Sequence, residues 1–66
     1  MLQAFLMRYL KASSRSTLIN LHRESQNKFK TMEIDEESVS WCLEELADRD
    51  YIQKNEYDGT YEYLPG

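Results

Sequence analysis

Apolar residues near the amino terminus recur at the spacing of a helix that packs by one face. When successive residues are placed about 100° apart around an axis, they form one wide apolar stripe. The stripe consists of Leu2, Phe5, Leu6, Tyr9 and Leu10. The opposite face carries Ala4, Met7, Arg8 and Lys11. The pattern predicts a helix over residues 2–12 that buries the stripe and presents the Lys11 amine on its outer side.

A thinner apolar stripe follows, after a serine-rich stretch that favours the end of the first helix. At helical spacing the chain carries Leu18, Leu21, Ser25 and Phe29. These positions predict a second helix that ends near Phe29. Residues 30–34 are then expected to form a connector, with Met32 and Ile34 tucked beneath the core.

The third helix has the clearest start signal in the chain. Asp35 is suited to cap the first backbone N–H groups, and Glu36 and Glu37 suit the positive end of the helix dipole. The apolar stripe of this helix consists of Val39, Cys42, Leu43, Leu46 and Ala47. The helix is predicted over residues 36–49, with Trp41 opposite the stripe among acidic residues.

The carboxyl-terminal part of the chain has the alternation of a β-hairpin. Residues 51–54 and 60–64 are rich in strand-forming side chains, and Asp58-Gly59 between them is typical of a two-residue turn. Three helices followed by a hairpin predict an α+β fold of the winged-helix type, a three-helix bundle with a C-terminal β-hairpin wing. This plan adds a short strand near residues 16–18 and makes all 66 residues a single domain.

Composition narrows the class of protein. Of the 66 residues, 30% are charged and the formal net charge is −4, which indicates a soluble domain with a small core. We find no apolar run of bilayer-crossing length and no signal peptide, so we expect cytoplasmic or nuclear localisation without membrane contact. The single cysteine and single histidine supply neither a disulfide nor the roughly four ligands of a structural zinc site. No metal, cofactor or catalytic residue is expected.

Two stretches of the chain resemble the carboxyl-terminal region of cullins. Residues 2–11, LQAFLMRYLK, resemble a cullin segment of the form IQAAIVRIMK. Four positions are identical, namely Gln3, Ala4, Arg8 and Lys11. Residues 46–63, LADRDYIQKNEYDGTYEY, are similar to the cullin ending, at about the spacing that cullins have. The residues between the two stretches match only loosely.

The chain departs from the cullin pattern in two places. After Lys11 it continues with Ala-Ser-Ser at residues 12–14, where cullins usually have further basic residues. After Leu64 it adds Pro65-Gly66. The first difference bears on how modifying enzymes dock, and the second on any partner contact made by the terminal carboxylate.

The resemblance implies a role as well as a fold. It implies the C-terminal winged-helix domain, a terminal fragment of a cullin scaffold in a RING-type ubiquitin ligase. Lys11 is then the acceptor of a ubiquitin-like modifier, the neddylation modifier, and the chain is a substrate rather than an enzyme. The implied partners are this modifier, its conjugating enzyme, the RING subunit and a neddylation co-ligase, with no small-molecule substrate. A lysine amine is almost wholly protonated at pH 7, so partner enzymes are expected to activate it.

Candidate partner-binding residues flank the acceptor lysine or stand out by their type. They are Met7, Arg8, Trp41, Lys54 and Tyr61. Trp41 has two interpretations of equal weight. An exposed tryptophan is a common interface anchor; alternatively, the ring folds over its own helix or contacts a neighbouring loop. Cullins usually carry a basic residue at this position.

Charge argues against the main alternative function. The third helix of a DNA-binding winged helix enters the major groove, where lysine and arginine neutralise phosphates. Here residues 35–50 carry seven acids and a single base, Arg49, a net charge of −6. Near the second helix, Arg23, Lys28 and Lys30 form only a mild basic patch. A winged-helix nucleic-acid-binding domain is the alternative hypothesis, and an interaction module without modification is a third.

Overall fold

Three helices and three short strands follow one another in the computed structural model, which describes residues 1–65. The elements are α1 (Leu2–Ser13), β1 (Arg15–Thr17), α2 (Leu18–Lys28), α3 (Glu36–Asp48), β2 (Ile52–Asn55) and β3 (Thr60–Tyr63). The helices form a bundle, and the β2–β3 hairpin joins β1 in a small antiparallel sheet. The fold is therefore the predicted α+β winged helix. Of the Pro65-Gly66 pair that follows Leu64, Gly66 lies outside the described residues.

Helix α1 follows the amphipathic pattern of its sequence. Leu6 and Leu10 are fully buried in the core, while Leu2, Phe5 and Tyr9 pack around them half-buried. The helix runs one residue further than predicted, because the Ser13 hydroxyl donates a hydrogen bond to the Tyr9 carbonyl at 3.0 Å. Its apolar face is thus fixed against the rest of the bundle.

Helix α2 begins at a threonine cap, Thr17, that the spacing of apolar residues does not predict. The Thr17 hydroxyl accepts a hydrogen bond from the Asn20 N–H at 3.1 Å, which satisfies one of the free donors of the first turn. The cap starts the helix at Leu18 and confines the preceding strand to residues 15–17, one position earlier than predicted. Leu21 and Ser25 are the buried residues of this helix.

The connector between α2 and α3 is held to α2 through its backbone. The Ile34 N–H donates to Gln26 Oε1 at 2.9 Å, and the Ile34 carbonyl accepts from His22 Nε2 at 2.7 Å. Gln26 Nε2 donates to the Met32 carbonyl at 2.6 Å. Ile34 is buried as predicted, but the prediction for Met32 is wrong, since 51% of its surface is exposed. The hydrogen bonds fix the Met32 backbone and leave its side chain outside the core.

Helix α3 has the predicted start and the predicted buried stripe. Asp35 Oδ1 accepts a hydrogen bond from the Ser38 N–H at 2.9 Å, which confirms the cap. The residues buried along this helix are Val39, Cys42, Leu43 and Leu46. The helix ends at Asp48, one residue earlier than predicted, and Asp50 then turns the chain with a φ of 63°.

Strand β3 lies in the middle of the sheet, in the order β1-β3-β2. Both neighbours run antiparallel to it, with Arg15 opposite Glu62 and Ile52 opposite Tyr63. An ion pair at 3.7 Å also joins Arg15 to Glu62. The sheet therefore connects the segment after α1 to the end of the chain.

The loop between β2 and β3 is longer than the predicted two-residue turn, so that prediction is wrong. Asn55 pairs with Thr60, so four residues, 56–59, form the loop. The Asn55 carbonyl accepts from the Gly59 N–H at 2.8 Å, and the Asn55 side chain accepts from the Tyr57 N–H at 2.9 Å. These bonds to Asn55 widen the turn, and Gly59 closes it at a φ of 73°.

One apolar core unites the helices with the sheet. Its buried residues are Leu6, Leu10, Leu21, Ile34, Val39, Cys42, Leu43, Leu46, Ile52 and Tyr61. Every element except β1 contributes a side chain to this core, and Ile34 joins it from the connector between α2 and α3. Within residues 1–65, no helix has the length and apolar character required to span a membrane.

Candidate functional site

Lys11 lies in the last turn of α1 with its side chain exposed. Its neighbour Leu10 is fully buried, and so is Leu6 one turn earlier. Among residues 1–65, no ion pair or side-chain hydrogen bond engages the Lys11 amine. A lysine at this position also interacts favourably with the negative end of the helix dipole. The geometry meets the first requirement of an acceptor, an amine that another protein can reach.

The backbone after Lys11 is anchored to the end of the chain. The Ser14 N–H donates to the Leu10 carbonyl at 2.7 Å, and the Tyr63 N–H donates to the Ser14 carbonyl at 2.8 Å. Ser14 adopts a φ of 75°, which turns the chain sharply out of the helix into β1. Ser14 and Tyr63 thus position the end of α1, which carries Lys11. Sequence reasoning missed this pair because no local pattern indicates a contact between residues so distant along the chain.

Met7 and Arg8, the candidate contacts beside Lys11, differ in their exposure. Arg8 is exposed, whereas Met7 is half-buried and packs against the core. Arg8 and Lys11 are three residues apart and so lie on neighbouring turns of one face. A protein that covered this face to reach Lys11 would also lie close to the Arg8 guanidinium.

Lys54 and Tyr61 lie opposite each other on β2 and β3. The Lys54 amine is 5.9 Å from the centre of the Tyr61 ring and forms an ion pair with Glu56 at 3.7 Å. Tyr61 is only 3% exposed and belongs to the core. Its prediction as a partner contact is therefore wrong: β3 is the central strand, and its inward side chain is covered by the helices. Lys54 remains at the surface.

Trp41 is exposed over 61% of its surface, on the side of α3 away from the core. An open depression lies on each side of the ring. The first is lined by Asp35, Glu37, Ser38, Trp41 and Cys42. The second is lined by Trp41, Glu44, Glu45 and Asp48. The indole is therefore surrounded by carboxylates and is neither part of the core nor covered by a loop.

Cys42 carries the one thiol of the chain, and it faces the core. Burial raises the pKa of this thiol, which favours the protonated form at neutral pH. Because the thiolate is the reactive form, Cys42 is a packing residue rather than a nucleophile. Over residues 1–65, no three or more His, Cys, Asp and Glu side chains are grouped so as to hold a metal ion.

Three helices and the three-stranded antiparallel sheet place the chain in the winged-helix class. A chain in the solved structure described as "A Dual E3 Mechanism for Rub1 Ligation to Cdc53: Dcn1(P)-Cdc53(WHB)" is similar to this one, where WHB denotes a winged-helix B domain. The two superimpose with a TM-score of 0.85 and 22% sequence identity, over 97% of this chain and 76% of that chain. The likeness shows the winged-helix fold. No family model and no curated protein matches the sequence.

Proposed function

We propose that this chain is the C-terminal winged-helix domain of a cullin-like scaffold in a RING-type ubiquitin ligase, and that Lys11 accepts a ubiquitin-like modifier. The observation that carries the proposal is the exposed Lys11 amine on an α1 helix whose other face is buried. The cullin-like residues around Lys11 and the structural likeness to a Cdc53 winged-helix domain support it.

The reaction at Lys11 is the formation of an isopeptide bond. The neutral amine attacks the thioester carbonyl of a modifier carried by its conjugating enzyme. A carbon–nitrogen bond forms, the carbon–sulfur bond breaks, and the cysteine thiol leaves while the amine loses a proton. Because no carboxylate of residues 1–65 is paired with Lys11, the partner enzymes supply the base. The chain is then a substrate and scaffold, not an enzyme.

The partners follow from the same proposal. They are the modifier, its conjugating enzyme, a neddylation co-ligase and the RING subunit of the ligase, which act in the cytoplasm or nucleus. The solved structure that resembles this chain is described as a complex of Dcn1 with the Cdc53 domain in Rub1 ligation, which supports a co-ligase partner. Attachment of a folded modifier beside α1 adds a bulky group that biases the position of the domain.

The test is to incubate the chain with the neddylation enzymes and compare the wild type with Lys11→Arg. The chain has four lysines, so the matched controls are Lys28→Arg, Lys30→Arg and Lys54→Arg. We expect the triple control variant, which keeps only Lys11, to form the adduct at the wild-type rate, and Lys11→Arg to form none. An unmodified wild type, or an adduct that persists in Lys11→Arg, would refute the proposal.

A further inference from the structure

The outer face of α3 combines an exposed aromatic ring with acidic side chains. With about 100° between successive residues, five side chains fall within roughly 100° of the helix circumference. They are Glu37, Trp41, Glu44, Glu45 and Asp48. We call this set the Trp41 face; along the axis it extends about 16 Å, from the 1.5 Å rise per residue. The buried stripe of α3 lies on the other side, so the fold does not use the Trp41 face.

The charges on the Trp41 face are mostly not neutralised within the chain. Arg49 pairs with Glu45 at 3.7 Å. In the part of the chain that the structure describes, no ion pair involves Glu37, Glu44 or Asp48. Glu44 accepts only a long hydrogen bond, 3.5 Å, from the Ser40 hydroxyl. Like charges so close together repel one another, and a cationic partner would relieve that repulsion.

Trp41 adds a feature that a solvated acidic helix does not need. An indole exposed over 61% of its surface leaves apolar area in water. Tryptophan is also the side chain that attracts cations best over its ring face, and arginine is the cation most often found there. The two depressions beside the ring leave room for a side chain to approach it from either side.

We propose that the Trp41 face docks a basic, arginine-bearing segment of a partner protein. One guanidinium stacks on the Trp41 indole, and further cations pair with Glu37, Glu44 and Asp48. Charge complementarity selects this occupant, because phosphates and acidic segments are repelled by the same carboxylates. This surface lies on α3, whereas Lys11 lies on α1, so the inference does not depend on the function proposed for Lys11.

The experiment measures binding of a synthetic helical peptide made of Ala-Ala-Ala-Arg repeats, capped at both ends. Trp41 is the only tryptophan of the chain, so its fluorescence reports directly on this face. We expect a saturable change in emission with the arginine peptide, a smaller affinity for the lysine counterpart, and no change with the glutamate counterpart. The affinity should fall as salt is raised, because the contacts are between exposed charges.

Variants of the chain locate the binding site, with a fluorescent label on the peptide. Trp41→Ala should weaken binding about tenfold, the loss expected for a partly desolvated cation–π contact. The variant with Glu37→Gln, Glu44→Gln and Asp48→Asn should lose most of the affinity and its salt dependence. The matched control is Tyr57→Ala, because Tyr57 is 99% exposed and also lies between two acids, Glu56 and Asp58. It should bind like the wild type.

The result is decisive in either direction once each variant is shown to melt like the wild type. Absence of binding by the wild type would overturn the proposal. Equal affinities of the wild type and Trp41→Ala would overturn the proposal by showing that the net charge of the chain attracts the peptide. An equal loss in Tyr57→Ala would overturn it by showing that any exposed aromatic ring beside acids binds the peptide. Sedimentation that showed a dimer dependent on Trp41 would assign the face to a second copy of the chain instead.

Discussion

At the scale of single residues, α1 carries a fully buried side chain and an exposed one only five positions apart. Leu6 is fully buried, and Lys11, five positions later, is exposed. A helix achieves this because five residues rotate the side chain by about 140° around the axis. Leu6 holds the helix in place and Lys11 offers the amine, so each can be substituted without affecting the role of the other.

Leu6→Asp is expected to unfold the domain, because it places a charge without a partner in the core. The milder Leu6→Ala should lower the free energy of unfolding by about 2–5 kcal/mol. Lys11→Arg should leave the thermal midpoint nearly unchanged, since it keeps the charge and removes no buried atom. Circular dichroism melts of the three variants check this. Equal destabilisation by Leu6→Asp and Lys11→Arg would contradict the orientation of α1.

Two aspartates should make stability depend on pH in the acid range. The hydrogen bonds from Ser38 lower the pKa of Asp35, and those from Thr60 lower the pKa of Asp58. Since the unfolded chain then binds protons more tightly than the fold, these bonds stabilise the domain above about pH 4, the ordinary range of aspartate. Their contribution is lost as the pH falls through the lowered pKa of each folded carboxyl group.

Asp35→Asn and Asp58→Asn should therefore each flatten the stability curve below about pH 4, where unfolded aspartate titrates. Both variants keep an oxygen that can accept the hydrogen bonds. Urea melts at several pH values provide the measurement, and Asp48→Asn is the control, since its carboxylate makes no side-chain hydrogen bond within residues 1–65. An unchanged acid dependence in both variants would show that these bonds do not control it.

At the scale of elements, the chain turns sharply at three residues with positive φ within the described range 1–65. Ser14 follows α1, Asp50 follows α3, and Gly59 closes the hairpin loop. Glycine adopts such a conformation without cost, whereas a residue with a Cβ is strained there. The space around Gly59 is open, so its backbone conformation alone determines the effect of a substitution.

Gly59→Ala should destabilise the domain by roughly 1 kcal/mol, because alanine must adopt the left-handed conformation. Asp50→Gly is the converse variant, and it should not destabilise, since it removes the strain of a side chain at a φ of 63°. Thermal melts of both variants give the comparison. A Gly59→Ala variant as stable as the wild type would mean that the loop can rearrange freely.

The elements also show how far the sequence can predict this fold. Spacing of apolar residues predicted all three helices to within one residue at the ends that were assigned, because the helices depend on local pattern and on caps such as Asp35. The length of the hairpin loop was mispredicted, because Asn55 accepts hydrogen bonds from backbone N–H groups of the loop and lies outside the Asp58-Gly59 pair. The burial of Tyr61 also escaped prediction, because it depends on β3 pairing with distant β1.

The sequence likewise predicts some features of the candidate site and misses others. The helical wheel predicted the exposure of Lys11 and Trp41, since each lies opposite a strong apolar stripe. The choice of Lys11 among four lysines came from the cullin resemblance and not from periodicity. The contact of Ser14 with Tyr63 joins the end of α1 to the end of β3, and no local signal encodes it.

At the scale of the whole molecule, charge is divided between faces. Acids dominate α3, whereas Arg8, Lys11 and Arg15 follow one another along α1 and β1. A winged helix that reads DNA inserts its third helix between phosphates. Here that helix has the same sign of charge as the nucleic acid.

The unaltered chain should therefore not retain a generic DNA duplex, even at low salt, where phosphate contacts are strongest. The positive control reverses the outer face of α3 with Glu37→Lys, Glu44→Lys and Asp48→Lys, which should introduce salt-dependent binding. Fluorescence anisotropy of a labelled duplex measures both. Salt-dependent binding by the unaltered chain would favour the nucleic-acid hypothesis over the cullin-like one.

The central place of β3 has a consequence for biosynthesis. Strand β3 (Thr60–Tyr63), which is translated after β1 and β2, lies between them and pairs with both. Until β3 has been synthesised, β1 lacks the strand with which it pairs, and the Ser14 carbonyl lacks its bond from the Tyr63 N–H. Such distant pairings form late, since closing a long loop costs entropy before any contact compensates. The helix that carries Lys11 therefore reaches its final setting only after β3 has been synthesised.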